Sequence, residues 1–177
     1  MLVEVSIESI RVSLISQARV VILKDVDSDR YLPIWIGQFE AEAIMVTLQE
    51  MEVARPLTHD LLKNVILTMG GHVEQVVVTE LRDDVFYAHI IVEVHGQRLE
   101  IDSRPSDALA LAVRVRAPIF IDSAVMDKAA VHPEAEMTSE EAPTGAAPAT
   151  TELGAFKDFV DSLDLDDLEG SEDTPSD

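Results

Sequence analysis

Apolar and polar residues alternate along most of the first 36 positions, which is the pattern of β-strands with one face in a core. In the first strand the apolar positions are odd up to Ile7 and even from Ile10 onward. Since each face of a strand takes residues of one parity, this switch predicts a β-bulge near Glu8 and Ser9. Two further strands are predicted, at 18–24 and at 31–36, with a polar turn between them.

Two helices are predicted next, because apolar residues then recur every three or four positions. The first helix covers 38–52. The second is expected to begin with Thr58 as its N-cap and to end at Gly70 and Gly71. The residues of this second helix that are expected to face inward are Leu61, Leu62, Val65, Ile66 and Met69.

The rest of the pattern adds strands and shorter helical segments. Residues 73–81 and 85–95 alternate and are separated by a polar turn, which predicts a hairpin. A short apolar strand is predicted at 118–121, followed by a last helix that ends near Val131. The sequence therefore predicts an α+β fold: one domain with a mixed, mainly antiparallel sheet packed against helices.

The junction between the strand at 99–103 and the next helix stands out. From Ala108 to Val115 only Arg114 is polar, and a helix that is apolar on every side belongs in a core. Pro105 closes the strand, and Ser106 is predicted to be the N-cap of the helix. The polar residues gathered at this junction are Asp102, Arg104, Ser106 and Asp107. They form either a capping and ion-pair network or the polar edge of an active site, and the pattern leaves both interpretations open.

Composition restricts the class of protein. The 177 residues include no cysteine, which rules out disulfides and thiolate metal sites. No apolar run approaches the roughly 20 residues that span a bilayer, and the first residues do not form a signal peptide. We therefore expect a cytoplasmic protein that does not contact membranes.

The acidic residues are concentrated at the C-terminal end. The formal net charge is −21, of which −8 belongs to residues 1–132 and −13 to the remainder. Residues 132–154 have the Pro, Ala, Thr and Glu composition of a flexible linker. Residues 155–177 are predicted to be a disordered acidic tail with a short amphipathic helix, since Phe156 begins a helical spacing of apolar residues that continues to Leu168. The segment 155–168 is a candidate binding site for a protein partner; a lid on the domain and a solubilising tail are the alternatives.

Three stretches resemble a known family. Asp102-Ser103-Arg104-Pro105-Ser106-Asp107-Ala108 is similar to the central motif of the bifunctional nuclease domain family. Residues 35–41 (WIGQFEA) and 55–60 (RPLTHD) are similar to its other recognisable segments, in the same order. The resemblance covers residues 1–131. It implies a compact α+β domain that hydrolyses phosphodiester bonds of RNA, DNA or both.

Hydrolysis of a phosphodiester requires an activated water, stabilisation of phosphoryl charge and help for the leaving group, which carboxylate-bound Mg²⁺ or Mn²⁺ can supply. The candidates for metal binding and catalysis are Glu40, Asp102 and Asp107. His59 is the candidate general acid or base, since its ordinary pKa lies near neutral pH. Arg55 and Arg104 are candidates for binding phosphate, with Ser106 beside them.

Another class of function remains open on the sequence alone. The domain lacks the basic charge typical of proteins that hold nucleic acid by counterion release. In this second class, the polar residues named above would be structural. The chain would be a regulatory or interaction module that recruits a partner through its acidic C-terminal helix. The sequence leaves the oligomeric state open, and a homodimer is one candidate, because strand-rich domains with open edges often pair.

Overall fold

The computed structural model describes residues 1–12 and 18–132. Within these ranges the chain forms a seven-stranded sheet with the order β3-β2-β1-β7-β4-β5-β6. The strands are β1 Leu2–Val12, β2 Arg19–Asp25, β3 Tyr31–Ile36, β4 Gly71–Arg82, β5 Val85–Val94, β6 Gln97–Ser103 and β7 Ile119–Asp122. Strands β4 and β7 are parallel, and every other neighbouring pair is antiparallel. The predicted α+β class with a mixed, mainly antiparallel sheet is confirmed.

The predicted bulge in β1 is present. The register of β1 against β2 shifts between Ile7 and Ser9, so one face of the strand takes odd positions before the shift and even positions after it. The polar turn after β2 is ordered by the buried carboxylate of Asp25, which accepts hydrogen bonds from the Asp27 amide, the Ser28 hydroxyl and the Arg30 guanidinium.

The described residues form four helices: α1 Gln38–Leu48, α2 Thr58–Thr68, α3 Pro105–Val115 and α4 Ser123–Ala129. Helix α3 contacts α1, α2, β4 and β5. Its residues from Ala108 to Ala112 are all buried, as its apolar composition predicted. The core lies between α3 and one face of the sheet, and α4 contributes Val125 and Met126 to it.

The predicted N-caps of two helices were wrong. Arg104, not Ser106, precedes α3, because Pro105 occupies the first helical position and thereby moves Ser106 into the first turn. Leu57, not Thr58, precedes α2. The Leu57 amide donates to the Asp60 carboxylate at 2.8 Å, so an acid in the first turn supplies the capping acceptor.

The predicted inward face of α2 was also largely wrong. Ile66 packs against the core, but Leu61 and Met69 are more than half exposed, and Leu62 and Val65 are exposed as well. No residue of α2 is fully buried. The periodicity correctly predicted that these side chains share a face, but periodicity does not indicate whether another element covers that face.

A salt bridge joins α2 to α3. Nε of Arg114 donates to Oδ1 of Asp60 at 2.8 Å, and only 3% of the Arg114 side chain is exposed. Nη1 of Arg114 donates to the Ala110 carbonyl at 2.7 Å. Burial alone would raise the pKa of Asp60, but the Leu57 amide and the Arg114 guanidinium hold that pKa below its ordinary value.

Residues 133–177 lie outside the described ranges, so the linker and the acidic tail with its helix stay predictions.

Within the described ranges, no helix has the length and apolar character needed to cross a membrane. Strand β6 lies at one edge of the sheet, which offers an open edge of the kind the candidate homodimer needs; the homodimer stays a prediction.

We predict that Asp60→Asn lowers the free energy of unfolding by about 3 kcal/mol, because it leaves the buried Arg114 guanidinium without a counter-charge. Urea unfolding at neutral pH measures the change. Asp83→Asn, in the exposed turn between β4 and β5, is the matched control. The double variant Asp60→Asn/Arg114→Met removes both charges but keeps a capping acceptor at residue 60, and it should recover most of the loss. If Asp60→Asn were as stable as the parent chain, the salt bridge would not be what holds α2.

Candidate functional site

The N-terminal ends of α1, α2 and α3 meet at one place in the fold. Glu40 lies in the first turn of α1, His59 in the first turn of α2 and Asp107 in the first turn of α3, while Arg104 is the N-cap of α3. These ends carry the positive partial charge of their helix dipoles, which favours carboxylates there. The fold thus brings together residues from three segments that are distant in the sequence.

Asp107 directly contacts two of the other side chains, His59 and Arg104. Its Oδ1 lies 3.2 Å from Nε2 of His59. Arg104 forms a forked pair with the same carboxylate, from Nε to Oδ2 at 2.7 Å and from Nη2 to Oδ1 at 3.1 Å. Nη2 of Arg104 also lies 2.9 Å from Oε1 of Glu40. One continuous polar network therefore runs from Glu40 through Arg104 and Asp107 to His59.

The four side chains differ in their access to solvent. His59 is only 11% exposed, whereas Arg104 is 65% exposed. They line a cleft of about 780 Å³ between the ends of α1, α2 and α3. The arrangement places a nearly buried imidazole beside a guanidinium that a ligand in the cleft can reach.

Contacts within the network shift the pKa values of Asp107 and Arg104. Burial alone would raise the pKa of Asp107, but Arg104 and His59 outweigh burial and hold that pKa below its ordinary value. The pKa of Arg104 is raised, first by its hydrogen bond to Asp107 and further by Glu40. Asp107 is therefore ionised at neutral pH, and because a carboxylate only accepts hydrogen bonds, Nε2 of His59 is the donor in their contact.

Gly37 positions Glu40. A Cβ atom at residue 37 would overlap the Glu40 carboxylate, which folds back over the start of α1. Glycine is thus the residue type that permits this placement, and neither composition nor periodicity revealed the requirement.

The other predicted site residues lie apart from this network. Asp102 is exposed on β6, and strand alternation points it away from Ser103, which pairs with the buried Ala88 on the core side. Arg55 is exposed and does not line the cleft, although Pro56 and Leu57 do. Ser106 is nearly buried and lines a neighbouring cleft of about 420 Å³, which shares Arg104 with the first.

Only two of the three carboxylates suggested as metal ligands lie together. Glu40 and Asp107 both contact Arg104, but Asp102 does not join them. Mg²⁺ is commonly held by one or two carboxylates together with water and substrate phosphates, so the pair Glu40 and Asp107 suits it in donor type and number. Arg104 contacts Oε1 of Glu40 and leaves Oε2, and the Asp107 carboxylate retains lone-pair capacity beyond its three contacts.

A second group of residues, away from the network, has the spacing of metal ligands. Among the described residues, His72, Glu74 and Glu93 form the one set of three or more potential ligands whose donor atoms all lie within 4.8 Å of one another. They lie where β4 begins and β5 ends, at the far end of β5 from the network. Both carboxylates already have partners, since Glu93 pairs with His72 at 3.4 Å and Glu74 with Arg98 at 3.3 Å.

The lowered pKa of Asp107 makes its contribution to stability depend on pH. Because its pKa in the folded state lies below the ordinary 3.8, the ionised carboxylate stabilises the fold above about pH 4, and this stabilisation disappears as the pH falls through the folded-state pKa. Asp107→Asn should therefore be less stable than the parent chain at neutral pH, and the difference should shrink as the pH falls below the ordinary pKa of 3.8. Urea unfolding across this range measures the difference, with Asp83→Asn as the control. A difference that did not change with pH would contradict the assignment.

Comparison with known proteins identifies the family. A model of the bifunctional nuclease domain matches residues 21–134, which include the whole network. A protein of Mycobacterium tuberculosis that is named only as uncharacterised is 39% identical over 168 residues, covering 95% of this chain and 99% of that protein. Bifunctional nuclease 1 of Oryza sativa subsp. japonica is 28% identical over 106 residues, covering 58% of this chain and 32% of that protein. Bifunctional nuclease 1 of Arabidopsis thaliana is 30% identical over 94 residues, covering 51% of this chain and 29% of that protein. The match confirms the resemblance seen in the three motifs: this chain belongs to the bifunctional nuclease domain family.

Proposed function

We propose that the domain hydrolyses phosphodiester bonds of RNA, DNA or both, in the cleft lined by Glu40, His59, Arg104 and Asp107. The observation that carries the proposal is the convergence of an acid–base group, an exposed cation and two carboxylates from three separate segments. The plant relatives named as bifunctional nucleases support the same reaction class.

His59 is the proposed proton carrier. Its Nε2 donates to the ionised Asp107, so Nδ1 is the nitrogen that can accept a proton from an attacking water. Asp107 fixes the orientation and tautomer of the ring and stabilises the imidazolium that forms. A positioned general base of this kind typically contributes a factor of about 10² to 10⁴ to the rate.

Arg104 is the proposed phosphate ligand. Its fork to Asp107 fixes the plane of the guanidinium, and its exposure lets a substrate phosphate approach. All the hydrogen bonds found for Arg104 in the described part of the chain use Nε and Nη2, so Nη1 is available to a phosphate oxygen. Because this contact acts on a single phosphate, it does not require the domain as a whole to be positively charged.

Glu40 and Asp107 are the proposed ligands of Mg²⁺ or Mn²⁺. A divalent cation held there would supply charge stabilisation to the phosphoryl oxygens and lower the pKa of bound water. The roles proposed earlier for Asp102, Arg55 and Ser106 stay predictions, and they require a substrate long enough to reach beyond the cleft.

Cleavage assays test the reaction. Purified protein should cleave RNA or DNA when supplied with Mg²⁺ or Mn²⁺ and should stop on addition of EDTA. His59→Gln and Asp107→Asn should each lower the rate by about 10² or more. His72→Gln, which changes an exposed histidine at the other end of the sheet, is the matched control and should retain the parental rate. Full activity of His59→Gln and Asp107→Asn would overturn the assignment, and an inactive parent chain would favour the non-catalytic interaction module.

A further inference from the structure

Two aromatic side chains beside the candidate site are unusually exposed. Trp35, the only tryptophan in the sequence, is 68% exposed, and Phe39 is 79% exposed. A single exposed apolar side chain is common and needs no explanation. Two large aromatics four positions apart, on either side of a short turn at the candidate site, suggest a binding role.

Each of the two rings lines a cleft that Arg104 also lines. Trp35 is near the end of β3, and together with Arg104 it lines the cleft of about 420 Å³. Phe39 is in the first turn of α1 and lines the larger cleft with Arg104 and His59. Since Arg104 borders both clefts, a ligand that lies across it can contact a ring on each side.

The physical chemistry of this row fits an unpaired nucleic-acid strand. Bases that are not stacked within a duplex expose faces that pack on aromatic rings, and each such contact strengthens binding about 5- to 100-fold. The phosphates between successive bases need a cation, which Arg104 supplies. A duplex hides its base faces and presents mainly phosphate charge to a protein.

Charge decides between these two kinds of substrate. Residues 1–132 have a formal charge of −8, so the domain as a whole repels a polyanion. Affinity for a duplex depends largely on phosphate contacts and counterion release, which this charge opposes. Stacking on Trp35 and Phe39 depends little on net charge, so it favours a single strand on an acidic domain.

We propose that Trp35 and Phe39 are stacking platforms that bind single-stranded RNA or DNA, with a phosphate on Arg104 between them. The proposal deepens the hydrolytic function and rests on it for the identity of the ligand. It selects unpaired nucleic acid as the substrate class and adds two binding residues to the site.

Trp35 itself reports binding, because no other tryptophan contributes to the fluorescence. The full-length chain is titrated in EDTA, to prevent cleavage, with a 12-nucleotide single strand and with the duplex of the same sequence. The single strand should quench the emission and bind at least about 10-fold more tightly than the duplex. Equal affinity for the two, or binding without any change in emission, would overturn the proposal.

Variants separate stacking from hydrophobic exposure, with fluorescence anisotropy of a labelled single strand as the measurement. Trp35→Ala and Phe39→Ala should each weaken binding about 5-fold or more, whereas Trp35→Tyr should retain most of the affinity. Met69→Ala removes a comparably exposed side chain at the far end of α2 and should leave binding unchanged. Circular dichroism and thermal unfolding establish that each variant is folded.

Two further results distinguish this inference from its alternatives. If sedimentation shows a dimer that Trp35→Ala abolishes while single-strand affinity stays unchanged, the rings belong to an interface between two copies and the proposal fails. If Trp35→Ala and Phe39→Ala cleave single strands and duplexes at parental rates while His59→Gln is inactive, stacking is wrong and hydrolysis stands. Aromatic-dependent binding of single strands without any cleavage would leave stacking established and hydrolysis refuted.

Discussion

Burial of α3 is the constraint on which the site depends. Because the helix is enclosed by α1, α2 and the sheet, the position and direction of its first turn are fixed by the core. Arg104 and Asp107 inherit that rigidity, since they belong to the cap and the first turn of this helix. A forked ion pair within one rigid turn leaves the guanidinium little freedom, which is what a preorganised phosphate ligand requires. The polar network is thus placed at the end of a helix that is buried in the core.

Glu40 and His59 reach this turn by different means. The Glu40 carboxylate occupies the space that a Cβ atom at residue 37 would fill, so a larger residue there would displace this flexible group from its present position. His59 depends on the attachment of α2, whose main polar link is the salt bridge from Asp60 to the nearly buried Arg114. Nη2 of Arg114 is buried without a hydrogen-bond partner in the described part of the chain, so α2 is fixed by an arrangement that is costly for the core. Because burial of this guanidinium costs free energy, the salt bridge is better explained by its positioning of α2 than by a net gain in stability.

Most of the fold could be predicted from the sequence because its signals are local. The parity switch around Ile7 and Ile10 is enough to predict a bulge, and the apolar composition after Pro105 is enough to predict a buried helix. The N-caps of α2 and α3 were harder, because Asp60 supplies the capping acceptor of α2 and Pro105 takes the first helical position of α3. The exposed face of α2 could not be predicted, since covering a face is a property of the whole structure. Of the residues in the motifs, Glu40, His59, Arg104 and Asp107 are neighbours in the fold, whereas Asp102 lies on the sheet face opposite that of Ser103.

The first turn of α2 both contacts the candidate site and anchors the helix. Its consecutive residues His59 and Asp60 respectively contact the candidate site and anchor the helix, and no residue of the helix is fully buried. Detachment of this one element would withdraw the imidazole and uncover the side of α3 on which Arg114 lies, while the strands of the sheet stayed paired. Because α2 buries so little apolar surface, we expect its local stability to be lower than that of α3. Amide protons of α2 should accordingly exchange with solvent long before those of α3.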